Sequence, residues 1–168
     1  RLHEMSGQLG GPLLIGASTT IADYLLPPVL GAYKARFPSV VPRLFVANSE
    51  SVQSRVAERS LDVGFIEGDS HLPLLATDVF CEDELQVTCA PFHPLAKLEA
   101  ATPESLTHYA NVSREPGSGT REVIDHYLQE AGVAPDALQR VIELGSPEAL
   151  KGLVATGLGF SIMSRATV

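Results

Sequence analysis

Short apolar runs alternate with segments of helical spacing along the first seventy residues. Residues 12–18 form a short apolar run that ends in small polar residues, which is typical of a buried strand, and 41–47 and 61–68 are predicted as a second and a third strand. Between them the spacing of apolar residues predicts a short turn with a helix starting near Pro27, and a second helix over 50–59. This β-α-β-α-β series favours a parallel sheet with right-handed crossovers.

The same alternation resumes after an irregular middle segment. Residues 76–82 and 84–90 have the composition of two strands joined by an acidic turn, and 91–96 form a proline-containing connector. Thr102 is placed to cap a short helix. The remaining predicted elements are strands at 109–113, 139–143 and 158–163 and helices at 118–131 and 147–156. The sequence therefore predicts two α/β lobes that meet near residues 86–94.

Composition narrows the classes of partner. The 168 residues are 45% hydrophobic and carry a net charge of −8, with a pI near 5.0. An acidic chain is poorly suited to bind DNA, RNA or an anionic membrane directly, because phosphate binding needs a basic surface. No apolar run approaches the ~20 residues of a membrane span, and the first residues lack the layout of a signal peptide. Two cysteines, Cys81 and Cys89, make no disulfide framework, so a cytoplasmic location is expected.

Hydroxyl and amide side chains follow several predicted strands where helices begin. They are Ser18, Thr19 and Thr20 after the first strand, Asn48 and Ser49 after the second, Ser118 and Thr120 in the second half, and Ser146 before the last helix. The carboxyl ends of parallel strands share one edge of a sheet, and helix N-termini offer unpaired N–H groups with partial positive charge. A small anion such as a carboxylate, sulfate or phosphate suits this edge. Any single residue of this kind is usually only a helix cap, so the prediction depends on several junctions sharing the edge.

The loop REPGSGTR (114–121) contains more charged and small residues than the N-cap of a helix requires. It holds Arg114 at a strand end, small residues including Gly119, and Arg121 in the first turn of a helix. Arg114 is the candidate ligand contact, whereas Arg121 either contacts the ligand or faces solvent. The loop lacks the lysine of a phosphate-binding P-loop.

Catalytic and metal-binding patterns are not found in the sequence. The five histidines have no metal-ligand spacing among themselves or with the cysteines, and Ser118 has neither a local base nor a G-x-S-x-G setting. We therefore expect no cofactor and no metal, and favour a binding module over an enzyme.

The chain resembles the effector-binding domain of LysR-type transcriptional regulators over nearly its whole length. The similar stretches occur in order and at family-like spacing. They are GGPLLIGASTT (10–20), YLLPPVL (24–30), RFPSV (36–40), LDVGFIEG (61–68), HPLA (93–96), REPGSGTR (114–121) and GLGFSIMSR (157–165).

The resemblance implies an architecture of two Rossmann-like, periplasmic-binding-protein-like lobes joined by crossover strands. Lobe I would span 11–88 and be completed by residues after 164, lobe II would span 89–163, and 1–10 would end a linker. An N-terminal winged helix-turn-helix outside this chain would bind the DNA. The resemblance also implies a homodimer, and a tetramer of the full-length protein. Its candidate dimer contacts are the helices near 27–36, 118–131 and 147–156.

The family's ligand positions map onto residues already singled out and onto the end of the third strand. They are Ser18, Thr19, Thr20, Asn48, Ser49, Phe65, Glu67, Arg114, Ser118, Gly119 and Thr120. The resemblance implies a small metabolite held between the lobes, whose binding controls transcription. The carboxylate of Glu67 would repel an anion or pair with a cationic group of the effector.

Two other functions stay open at this point. An extracytoplasmic solute-binding protein of a transporter shares the plan of two lobes, and a basic domain or an export signal upstream would separate the two cases. A small-molecule enzyme of doubly wound fold is the second alternative, and turnover of a candidate metabolite would support it.

Overall fold

The computed structural model describes residues 10–168, so nearly all of the expected linker segment 1–10 lies outside the described residues. The chain divides into two compact units, with the division between Thr77 and Asp78. Unit 1 comprises the described residues up to Thr77, and unit 2 comprises Asp78 to Val168. The boundary between the predicted lobes, at residues 88 and 89, stays a prediction.

Unit 1 is a three-stranded parallel sheet with order β2-β1-β3. Its elements are β1 (Gly11–Ala17), α1 (Leu26–Arg36), β2 (Val40–Val46), α2 (Ser49–Ala57) and β3 (Val63–Phe65). This order confirms the β-α-β-α-β series that the apolar pattern predicts. The third strand is shorter than the predicted 61–68, because Leu61 and Asp62 belong to the turn that enters it.

Two glycines let α2 lie close to the sheet of unit 1. Val52 of α2 is fully buried, and a β-carbon on Gly16 of β1 or Gly64 of β3 would come within 2.9 Å of its methyl groups. A larger residue at either position would therefore require the packed side chains around it to shift. A second cluster, from β1 and the start of α1, buries Ile15, Ala17, Ile21, Ala22 and Leu26.

The helix after β1 begins earlier than its two prolines suggest. It is helical from Thr19, passes through one wide π-helical turn at Ile21–Leu25 and continues as α1. Pro27 would clash with a carbonyl of the preceding turn in a regular α-helix, and the wide turn absorbs this conflict. The helix start predicted near Pro27 is therefore confirmed, since α1 begins at Leu26, while the turn before it is helical.

Residues 76–82 form no strand, which corrects a second prediction. The segment has alternating apolar residues, but most of it is exposed, with Val79 at 88% and Phe80 at 49%. A strand requires a neighbouring strand, and no strand pairing of the described residues includes this segment.

Unit 2 contains a mixed four-stranded sheet with order β4-β7-β5-β6. Its elements are β4 (Leu85–Cys89), α3 (Pro103–Leu106), β5 (Ala110–Arg114), α4 (Gly119–Glu130), β6 (Gln139–Leu144), α5 (Pro147–Ala155) and β7 (Phe160–Ser164). β5 runs parallel to β6 and β7, whereas β4 and β7 pair antiparallel. Short 3-10 turns at Pro94–Lys97, Pro135–Ala137 and Arg165–Thr167 connect or follow these elements.

Two apolar clusters form the core of unit 2. Leu128 of α4 packs in one cluster with Phe160 of β7, and Leu150 of α5 packs in the other with Met163 of β7. Phe160 and Met163 are three apart on one strand and so point to opposite faces of the sheet. The helices α4 and α5 therefore pack through different faces of β7, as a doubly wound arrangement requires.

Candidate functional site

The three strands of unit 1 end side by side. Ala17, the last residue of β1, is in register with Val46 of β2 and Phe65 of β3. The predicted site residues of unit 1 follow these positions directly. They are Ser18, Thr19, Thr20, Asn48, Ser49 and Glu67, with Phe65 at the strand end itself. The sheet therefore brings the unit 1 candidates to one edge, as the parallel order predicts.

Ser18 and Asn48 are engaged as helix caps. The hydroxyl of Ser18 accepts a long hydrogen bond of 3.5 Å from the N–H of Ile21, and its own N–H donates to the carbonyl of Phe65 at 3.0 Å. Asn48 accepts from the N–H of Ser51 at 3.0 Å. These two residues hold the edge together, whichever further contacts they make.

A carboxylate lies among the hydroxyl groups of this edge. The buried hydroxyl of Ser49 donates a hydrogen bond to Glu67 at 3.0 Å, which joins the start of α2 to the segment after β3. Thr20 is buried, whereas Thr19 is half-buried. Thr19 is therefore the hydroxyl of the first junction with more access to solvent.

The strand ends of unit 2 also coincide. Arg114 ends β5 in register with Leu144, the last residue of β6. Ser118 follows β5 and caps α4 by accepting from the N–H of Arg121 at 3.4 Å. Ser146 follows β6, is exposed, and caps α5 through the N–H of Ala149 at 3.2 Å. The other two candidates at the start of α4, Gly119 and Thr120, are buried.

The glycine of the loop before α4 has a conformational role. Gly117 adopts a φ of +85°, a left-handed conformation that glycine reaches without steric cost. This residue turns the chain between the end of β5 and the capping hydroxyl of Ser118. The small residues of the loop therefore serve the tight turn as well as any approach of a ligand.

Arg114 is buried and engages a carboxylate of its own loop. Its side chain is 5% exposed, and its Nε and Nη2 donate to the two carboxylate oxygens of Glu115 at 3.0 and 3.2 Å. This bidentate arrangement is the one by which arginine recognises carboxylate and phosphate groups. Glu115 therefore occupies two of the five N–H donors that the guanidinium carries.

Arg121 does not face solvent, and sequence reasoning missed its role. Its side chain is 18% exposed and contacts Glu143 of β6 at 2.5 Å, Asp125 of α4 at 3.7 Å and the backbone carbonyl of Arg114 at 3.1 Å. The spacing of Arg121 and Asp125 by four positions in a helix was a readable signal for one of these contacts. The contact with Glu143 depends on the pairing of β5 with β6, which no local pattern gives.

The concave regions of unit 2 differ in their position relative to this edge. A groove of about 680 Å³ is lined by residues preceding β5 and β6, among them Thr102, Thr107 and Gly132, and lies at the amino ends of these strands. A cavity of about 10 Å³, roughly the size of one water, lies among Arg114, Arg121 and Arg140 and is also lined by polar and apolar residues of β5, α4 and β7. The large groove is therefore remote from the candidate site.

Residues 10–168 also lack two features of other classes of protein. No helix in this part of the chain is long and apolar enough to cross a membrane. Within the same residues, no group of three or more histidine, cysteine, aspartate or glutamate side chains could hold a metal ion.

The family description "LysR substrate binding domain" matches residues 6–168. The chain belongs to this family. The resemblance read from the ordered stretches of sequence is therefore confirmed, and so is the α/β fold class with two periplasmic-binding-protein-like lobes, which the effector-binding domains of LysR-type regulators share. Which residues of this LysR domain contact an effector stays a prediction.

Two curated relatives of the LysR domain are named as transcriptional regulators. The HTH-type transcriptional regulator YeiE of Escherichia coli K12 is 39% identical over 167 residues, covering 99% of this chain and 56% of the relative. A probable RuBisCO transcriptional regulator of Cyanidioschyzon merolae is 35% identical over 166 residues, covering 97% of this chain and 55% of the relative. The chain thus spans about half the length of these relatives.

A solved structure of the same fold contains a bound small molecule. The regulatory domain of CcmR from Synechocystis PCC6803, in complex with 2-PG, has a TM-score of 0.82 and 29% sequence identity to this chain. The match covers 94% of this chain and 74% of the CcmR domain.

Proposed function

We propose that this LysR domain senses a small anionic metabolite and, as part of a longer transcription regulator, controls transcription without catalysing a reaction. The observation that carries the proposal is the buried guanidinium of Arg114 at the end of β5, beside the hydroxyl-capped start of α4. Glu115 offsets much of the charge of this guanidinium, so the proposal rests on the position of Arg114 at the strand end, where the N–H groups at the start of α4 add partial positive charge. The class of ligand is therefore a carboxylate, sulfate or phosphate.

The hydroxyl-lined edge of unit 1, taken by itself, is a second candidate for contacts with a metabolite. Thr19 offers a hydroxyl with access to solvent, and the carboxylate of Glu67 at the same edge suits the hydroxyl or cationic part of a metabolite better than its anionic part. The bound 2-PG of the CcmR domain supports a small molecule as the class of ligand.

Regulation requires that the effector distinguish two conformations of the protein. A metabolite shifts the equilibrium only by the difference between its affinities for them. We place the DNA contacts in a separate winged-helix domain of the full-length protein, which acts as a homodimer or tetramer. The acidic charge of −8 supports this division, because a domain of that charge repels DNA phosphates.

Alanine replacement of single hydroxyls tests the assignment of site residues. Inorganic phosphate, sulfate and small carboxylates would be titrated by calorimetry into the wild-type chain and into the Thr19→Ala and Thr120→Ala variants. Loss of one hydrogen bond to a ligand costs about 1 kcal/mol, so each variant should bind the preferred anion about fivefold more weakly.

Thr107→Ala is the matched control for these variants. The hydroxyl of Thr107 donates to the carbonyl of Glu104 near the amino ends of β5 and β6, remote from the strand ends that carry the candidates. Its affinity should equal that of the wild-type chain. If neither Thr19→Ala nor Thr120→Ala differs from this control, the assignment of both hydroxyls to the effector site is wrong.

A further inference from the structure

Arg121 holds the backbone at the end of β5. Its Nη1 donates to the carbonyl oxygen of Arg114 at 3.1 Å and contacts the carboxylate of Glu143 at 2.5 Å. Its Nε lies 3.7 Å from the carboxylate of Asp125, one turn further along α4. One guanidinium therefore joins the last residue of β5, the first turn of α4 and the parallel strand β6.

The contacts of Arg121 continue into a partly buried ionic network. Asp125 also bonds Arg140 of β6, and the side chains of Arg121 and Arg140 are only 18% and 16% exposed. Buried ion pairs add little net stability, because the loss of hydration offsets much of their attraction. The contact that distinguishes Arg121 within this network is the one with the Arg114 carbonyl.

We propose that Arg121 is a positioning residue for Arg114: it fixes the backbone from which Arg114 reaches the effector, and does not itself contact the effector. The proposal rests on the function proposed above for Arg114. Two independent contacts hold residue 114, since Glu115 orients its guanidinium and Arg121 its carbonyl. A binding residue whose side chain and backbone are both held in place loses less conformational freedom when it binds the ligand.

The geometry requires an arginine at position 121. A guanidinium carries five N–H donors in one plane and so can satisfy a carbonyl and two carboxylates at once, whereas a lysine ammonium is a single point of charge on a flexible stem. Arg121→Lys therefore keeps the charge of the network but loses the arrangement. The lysine variant separates the positioning of Arg114 from the electrostatic effect of residue 121 on an anion.

The experiment measures anion affinity and thermal stability together in variants of the full chain. Inorganic phosphate and sulfate are the probes, and the variants are Arg114→Gln, Arg121→Gln, Arg121→Lys and Arg140→Gln. Arg140→Gln is the matched control, because it removes an arginine from the same network without touching the Arg114 carbonyl. Arg121→Gln should bind phosphate more weakly by on the order of tenfold, the lower end of what outer partners of binding side chains contribute.

Each outcome decides either the positioning role or the proposed function. The positioning role is supported if Arg121→Gln and Arg121→Lys both bind the anions more weakly than the wild-type chain. In that case Arg140→Gln should lose a similar amount of thermal stability but keep the wild-type affinity. If Arg114→Gln loses binding while both Arg121 variants keep it, the positioning role is wrong and the proposed function stands. If Arg114→Gln binds both anions as the wild-type chain does, or the wild-type chain binds neither, the proposed anion site and the positioning role both fail.

Discussion

The two units use different chemistry at strand ends of the same design. In unit 1 the residues after β1 and β2 are hydroxyls and an amide, and the charged side chain that follows β3 is the carboxylate of Glu67. In unit 2 the strand β5 ends in Arg114, and the first turn of α4 adds Arg121. The sheet of each unit thus presents the carboxyl ends of parallel strands, and the side chains that follow these strands decide what each edge can bind.

The packing along the two sheets also differs. A β-carbon on Gly64 of unit 1 would meet methyl groups of Val52 and Val56, whereas one on Gly159 of unit 2 would overlap the backbone carbonyl of Ala110. A side chain can move by a few tenths of an ångström, but a strand backbone held by its neighbours cannot. Unit 2 is therefore the less tolerant of the two beside its sheet.

Alanine at these two glycines should give the largest effect. Gly159→Ala forces β5 and the chain before β7 apart, so we expect a loss of about 3 kcal/mol or more, at the upper end for overpacked sites. Gly64→Ala requires only an adjustment of two valines and should cost about 1–2 kcal/mol. Thermal unfolding of both variants checks this order, and equal losses of stability would contradict the stated difference between the units.

Neutralising Glu67 tests whether the carboxylate of unit 1 acts on an anion. Glu67→Gln keeps an oxygen that can accept from Ser49 but removes the negative charge. Relief of a repulsion of about 1 kcal/mol, the size expected at high effective dielectric, should raise phosphate affinity by up to about fivefold.

Glu58→Gln is the matched control for this charge change. Glu58 is exposed at the C-terminal end of α2 and therefore lies away from the strand ends of unit 1. Calorimetric affinity for phosphate should stay unchanged in Glu58→Gln. A Glu67→Gln variant that binds phosphate no better than this control would show that the two edges do not divide their charges as described.

The smallest effect is expected at an exposed ion pair of unit 2. Hydrogen bonds from Gln86 and, next, from Arg165 lower the pKa of Glu84 below its ordinary value of 4.5. Arg165→Gln should therefore raise the pKa of Glu84 toward that value, which an NMR titration of the side chain measures. A lowered pKa stabilises the fold above pH 4.5, and this contribution is lost as the pH falls through the folded pKa.

The exposed pair of Glu84 and Arg165 contrasts with the less exposed ion pairs of Arg121 and Arg140. The side chains of Glu84 and Arg165 are 61% and 70% exposed, so solvent screens the pair, and the stability of Arg165→Gln at neutral pH should differ little from that of the wild-type chain. A large loss of stability in this variant would show that exposed pairs matter as much to unit 2 as the network around Arg121.

Much of the fold could be predicted from local sequence, because the strands are short apolar runs and the helices have apolar residues at a different, helical spacing. Caps were equally readable, since Asn48, Ser118 and Ser146 accept the hydrogen bonds that their positions predict. The prediction of a strand at 76–82 was wrong because an apolar pattern does not show whether a neighbouring strand is present to pair with it. The helical form of the turn before α1 was not predicted, because the two prolines indicated a break in the helix and the wide π-helical turn accommodates them.

The candidate site was less predictable than the fold. The sequence placed Arg114 at a strand end, but the bidentate pair with Glu115 depends on side-chain orientations that no spacing gives. The role of Arg121 depends on Glu143, which is distant in sequence and becomes a neighbour only when β5 and β6 pair. Contacts of this kind arise from tertiary structure, and local patterns carry little information about them.

The stretch between β3 and β4 is a natural insertion point for protein engineering. Every strand pairing in the described chain lies wholly before residue 66 or wholly after residue 84, so foreign sequence spliced between them would interrupt no backbone ladder. Chain segments without such pairing tolerate added domains well. A fluorescent protein placed there would leave the strand order of both sheets intact.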